Sequence, residues 1–105
     1  MTLREDILTG IQQVASRFPI DKVILFGSRA KDTCWEYSDV DLAISGKLDA
    51  DAYFDFKEEL EKYPDLYLFD VVDMNSDFID ADLMNEIAKD GVMIYEKVRT
   101  DETSV

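Results

Sequence analysis

Three aspartates and a glycine–serine pair have the residue types and spacing for chemistry. Asp39 and Asp41 stand two apart in the run Asp39-Val40-Asp41-Leu42. On a strand both carboxylates leave the same face, about 6–7 Å apart along it. Val40 and Leu42 then point the other way, into a core. Two like charges on one face are stable when solvated at an edge, or when a hard cation binds between them. Mg²⁺ suits such a pair, because it takes one or two carboxylates and completes its shell with water and nucleotide phosphates. Asp70 stands inside the apolar run Leu66 to Val72, with Leu66, Leu68 and Val72 on its face of the strand. A charge in a strand interior is costly unless paired or metal-bound. Asp73 lies just past that run, where a turn acid is ordinary, so Asp70 is the favoured third carboxylate. Gly27 follows a strand and lets the backbone approach an anion closely. The N–H groups after it can point toward a phosphate, and Ser28 adds a hydroxyl donor.

Each of these features has a plain reading when taken alone: a turn at Gly27-Ser28, a solvated pair at Asp39 and Asp41. Together they describe a different object. Two adjacent strands can gather Asp39, Asp41 and Asp70 into one carboxylate cluster, with the Gly27-Ser28 loop holding a triphosphate beside it. Two cations about 3.5–4 Å apart can then clamp the attacking and leaving oxygens of an in-line displacement. Phosphoryl and nucleotidyl transfer needs mainly positioning and charge neutralisation. The sequence contains no histidine. That excludes His-based acid–base chemistry and Ser-His-Asp triads, and it fits a mechanism run by carboxylates and metal.

Composition bounds the rest. With 105 residues the chain is one domain, able to bury roughly two-thirds of its unfolded surface. Its net charge of −13 repels nucleic acid backbones and favours cations and basic protein surfaces. The single cysteine, Cys34, cannot form an internal disulfide, which fits a reducing compartment. No apolar run is long enough to span a membrane. The N-terminal stretch carries acids and lacks the apolar core of a signal peptide, so the expected location is the cytoplasm.

The elements that must position these residues follow from periodicity. Thr2 and Glu5 have the spacing of a capping box. Leu3, Ile7, Ile11, Val14 and Phe18 recur at helical spacing up to Pro19. Lys22–Phe26 reads as a strand, and Ser28–Lys31 as a short helical turn. Asp32–Ser38 reads as a loop in which Trp35 stacks on a base, packs on a partner or anchors the loop. Val40–Ser45 is the next strand. Asp49 or Asp51 can cap a helix through about Tyr63, with Tyr53, Phe56, Leu60 and Tyr63 on one face. Leu66–Val72 is a third strand. A helix from about Asp80 to Lys89 turns Leu83, Met84 and Ile87 inward, with Gly91 as its stop, and Val92–Tyr95 is the last strand. Strands alternating with helices predict one sheet covered by helices, in an α/β or α+β domain. Residues 1–96 form that domain, and 97–105 read as a disordered tail.

The stretch Phe26-Gly27-Ser28, ten residues, then Asp39-Val40-Asp41-Leu42 resembles the motif of the polymerase β-like nucleotidyltransferase superfamily. The fuller run LFGSRAKDTCWEYSDVDLAIS is similar to its minimal nucleotidyltransferase group, and Asp70 falls where that group carries its third carboxylate. The resemblance implies a mixed sheet of about four strands flanked by helices. It implies that Gly27 and Ser28 contact the nucleotide phosphates, that Asp39, Asp41 and Asp70 bind two Mg²⁺ ions, and that Asp70 is also the general base. Arg29 matches a commonly basic position; it either assists the phosphates or is a surface arginine. Many members carry glycine where Asp32 stands. The implied reaction is transfer of a nucleoside monophosphate, AMP from ATP, to a hydroxyl. The implied partner is a small helical protein of the HEPN or substrate-binding type, in some cases the toxin of a toxin–antitoxin pair. The runner-up is an antitoxin that neutralises a helical partner by contact alone.

Overall fold

The computed structural model describes residues 3–31, 39–62, 68–75 and 79–97. Within them the chain runs α1 (Glu5–Ala15), β1 (Ile20–Phe26), β2 (Val40–Gly46), α2 (Ala50–Glu61), β3 (Phe69–Asp73), α3 (Ala81–Asp90) and β4 (Val92–Glu96). The four strands form one mixed sheet in the order β3-β2-β1-β4. β1 is antiparallel to both β2 and β4, and β2 and β3 are parallel. A parallel pair needs a crossover between its strands, and α2 supplies it.

Strand parity divides the core in two. Val23, Leu25, Val40, Leu42, Ile44, Phe69 and Val71 point to one face, where they meet Ile7, Ile11 and Val14 of α1 and Phe56 and Leu60 of α2. An edge-to-face contact between Phe18 and Phe56, centroids 5.6 Å apart, joins the end of the α1 region to α2. On the other face Phe26 and Ala43 meet Ile87 of α3, with Ile24, Val72 and Leu83 packed around them. The two α1/α2-side helical stripes follow the expected spacing, as does Ile87.

The termini of the helices differ from expectation in places. α1 starts at Glu5 with Arg4 at its N-cap and no side-chain cap bond, so Glu5 is the first helical residue and not the third residue of a capping box; Thr2 lies outside the described residues. The α-helix stops at Ala15, and turns carry the chain from there to Pro19. Asp49 caps α2, its carboxylate accepting from Ala52 N–H at 2.8 Å. Asp80 caps α3, accepting from Asp82 N–H at 2.7 Å. Met84 is not inward but 38% exposed: it follows Leu83 around the helix, off the stripe that Leu83 and Ile87 share. Gly91 keeps an ordinary negative φ. Its glycine is required by space instead, since a Cβ there would collide with Ile87 O and Ile24 Cγ2. Lys97 N–H still donates to Asp21 O at 2.8 Å, and the rest of the expected tail lies outside the described residues. Among the described residues, no helix is long and apolar enough to cross a membrane.

Candidate functional site

The sheet topology decides where the chemistry-bearing residues meet. β1 ends at Phe26 where antiparallel β2 begins, and Phe26 pairs with Asp41. Parallel β3 begins at that same end, and Asp41 pairs with Asp70. Register partners share a face, so Asp41 and Asp70 both leave the sheet on the α3 side. Asp39 lies two residues before Asp41, exposed, at the mouth of β2. Residues 27, 39, 41 and 70 thus gather at one end of the sheet.

Gly27 joins the turn to the carboxylates physically. Its φ is +75°, a conformation glycine adopts at little cost. A Cβ at this position would overlap the Asp41 carboxylate. The turn beyond it is closed by Lys31 N–H donating to Gly27 O at 3.3 Å, which is the short helical turn expected at 28–31. Ala30 packs against the main core. Ser28 is half-buried and Arg29 is 3% exposed. Both are engaged by other groups. Arg29 is therefore not the surface arginine of the second sequence reading. A charged side chain this deep needs partners to be tolerated, so it is held inside the fold at the base of the turn.

Asp41 is the most perturbed carboxylate of the group. Its pKa is pushed up to about 6, first by burial, then by the charges of Asp70, Asp39 and Glu86. Glu86 was not singled out in the sequence. It sits on α3 one residue before the buried Ile87, half-buried itself. An acid on an amphipathic helix reads as solvated surface, and only the packing of α3 on Phe26 and Ala43 turns it toward Asp41. Asp70 is exposed, contrary to the expectation of a charge in a strand interior. Among the described residues β3 is an edge strand, Asp70 is its second residue, and Leu68 at the same parity is 69% exposed. Leu66 lies outside the described residues, as do Asp32, Cys34, Trp35 and Tyr37. Asp73, expected past the strand, is instead the half-buried last residue of β3, and its carboxylate accepts from Asn75 N–H of the following turn at 2.9 Å.

The donors are all hard carboxylate oxygens, which suit a divalent cation of the Mg²⁺ type. They share one sheet end, but among the described residues no three such side chains are drawn around one point as a ready-made cage. A cation that uses one or two carboxylates and takes its other ligands from water and phosphate fits that arrangement.

Comparison with known proteins gives the family. The model for the nucleotidyltransferase domain of polymerase beta matches residues 10–100. No curated protein sequence matches the chain. Among solved structures, a toxin–antitoxin complex with AMP-PNP superposes with a TM-score of 0.69 at 23% identity, covering 96% of this chain and 80% of that one. The toxin–antitoxin MntA–HepT gives a TM-score of 0.67 at 20% identity over 95% of this chain and 79% of that one. A protein from Shewanella oneidensis gives 0.67 at 17% identity over 96% and 79%. At these identities the likeness is one of fold, and the fold agrees with the mixed sheet described above. With its model matched over most of the chain and its carboxylates at the mouth of β2 and β3, this protein belongs to the polymerase beta nucleotidyltransferase family.

Proposed function

We propose that this chain transfers a nucleoside monophosphate, AMP from ATP, to a hydroxyl on a partner protein of the helical HEPN type, and acts as the antitoxin of that pair. The observation that supports it most is the Asp41–Asp70 register, with Asp39 and the Gly27 turn at the same sheet end. The toxin–antitoxin structures of the same fold support the partner.

In this reading the backbone of Gly27 and Ser28 receives the triphosphate, and the positive φ of Gly27 lets the chain come close to it. Asp39, Asp41 and Asp70 would hold Mg²⁺. When bound, the metal neutralises phosphate charge and lowers the barrier to attack. Asp70, open to solvent, can accept the proton of the incoming hydroxyl. That oxygen bonds to the α-phosphorus, the bond from α-phosphorus to the bridging oxygen breaks, and pyrophosphate leaves. Arg29, at the base of the turn, supports the phosphate-binding segment.

The test is to incubate the chain with the candidate partner, Mg²⁺ and labelled ATP, and to weigh the partner by mass spectrometry. One added AMP is expected with the wild type and none with Asp39→Ala. Equal labelling by both would remove the site assignment. Partner neutralisation that survives in an Asp39→Asn, Asp41→Asn double variant would favour action by contact alone.

A further inference from the structure

A groove of about 490 Å³ lies along the outer side of β3, between the N-terminal turns of α2 and α3. Tyr53 and Phe54 of α2, Val71 and Val72 of β3, and Ile79 and Leu83 beside and within α3 give it an apolar lining. Phe54 is 63% exposed, and its ring is held edge-to-face on Tyr53 with centroids 5.3 Å apart. Asp49, Asp73 and Asp80 also line the groove. Asp73 lies three residues beyond Asp70, about 10 Å along the strand, so the groove neighbours the carboxylate site without sharing its residues.

Two observations select the occupant. The first concerns the strand edge. Val40 N–H donates to Leu68 O and Met74 N–H to Ile44 O, so the backbone N–H and C=O groups of the even-numbered residues of β3 point to β2 and those of the odd-numbered residues point to the open edge. The outward Val71 carbonyl accepts from the Tyr53 hydroxyl at 2.6 Å. An added strand would have to displace that hydroxyl, whereas inserted side chains need not. The second is charge. Three carboxylates on a chain of net charge −13 repel an acidic segment and a second copy, and attract lysine and arginine.

We propose that this groove docks a segment of a partner protein that inserts large apolar side chains between α2 and α3 and carries flanking Lys or Arg toward Asp49, Asp73 and Asp80. The docking is independent of nucleotidyl transfer, and its residues are outside that machinery.

The test is a methyl-labelled NMR titration of the full chain with three synthetic peptides. One has a Leu-Phe core flanked by lysines, the second has the same core flanked by glutamates, and the third has lysines around a Ser-Ser core. The first is expected to shift the Val71, Val72 and Leu83 methyls, binding at least about tenfold tighter than either control. Phe54→Ser and Asp73→Lys, each with an unchanged circular dichroism spectrum, are expected to weaken it about fivefold or more. Failure of the first peptide to bind by about 1 mM, or equal binding of the Ser-Ser control, overturns the proposal. So do displacement of the first peptide by Mg·ATP, and groove shifts on concentrating the chain alone or on truncation after Lys97. These would assign the groove to a nucleotide, a second copy or the chain's own end.

Discussion

The two faces of the sheet are built for different ends, and β2 shows it residue by residue. Val40, Leu42 and Ile44 are fully buried against α1 and α2. Asp41, between them in sequence, leaves the opposite face beside Asp70, and Ala43 follows it into a small cluster with Phe26 and Ile87. One seven-residue strand thus anchors the main core with one parity and presents the site with the other. The contrast teaches where chemistry can sit. In the proposed function the carboxylates need water, cation and substrate, and among the described residues they lie on the face that one helix, α3, covers. The cost of crowding them is borne by the densely packed face.

The comparison can be broken first at its strongest point. Phe56→Ala, on the α1/α2 side, is expected to lower unfolding free energy by about 3–5 kcal/mol in urea denaturation, with turnover per folded molecule unchanged. Asp41→Ala should do the reverse: pyrophosphate release falls on the order of 10²- to 10³-fold, with no loss of stability. If the aspartate variant unfolds or the phenylalanine variant loses specific activity, the division of labour between faces is wrong. Gly27→Ala tests the seam between them. It places a Cβ on the Asp41 carboxylate at positive φ, so a stability loss of about 1–2 kcal/mol should accompany a fall in turnover. The smallest effect concerns pH. Asp41 has a folded pKa near 6 against an ordinary 3.8. Its ionisation therefore opposes folding: the penalty is absent below about pH 4, grows as pH rises, and is complete above the folded value. Without divalent cations, Asp41→Asn should stabilise the protein at pH 7 by about 1 kcal/mol after solvent screening is discounted. Its stability should match the wild type at pH 3.5. Thermal melts at the two pH values read this directly.

Much of this division was legible in the residues. Asp41 between Val40 and Leu42 was legible as facing away from the main core, and Gly27 after an apolar strand marked the turn. The four strands and three helices followed from periodicity and punctuation, because those signals are local. What escaped was set by distant partners. Glu86 joins the site only because α3 packs on β1 and β2. The apolar neighbours of Asp70 read as a buried strand, yet at the start of an outer strand only the Phe69 side is buried and the Asp70 side is open to solvent. Arg29 could be read either way until the turn was closed. The cap of α1 was misplaced because Thr2 and Glu5 match the capping spacing, whereas the helix begins at Glu5.

The carboxylate pair straddles a single strand–strand boundary. Among the described residues, Asp41 belongs to a strand paired on both sides, whereas Asp70 belongs to one paired in the sheet with β2 alone. Peeling that outer ribbon would part the two acids and withdraw Phe69 and Val71 from the main core while α1, α2, β1 and β2 kept the rest of it, a local opening that requires less free energy than global unfolding. Turnover would then vanish in mild denaturant before helical ellipticity declines, making catalysis the more sensitive gauge of how firmly the last strand is fastened.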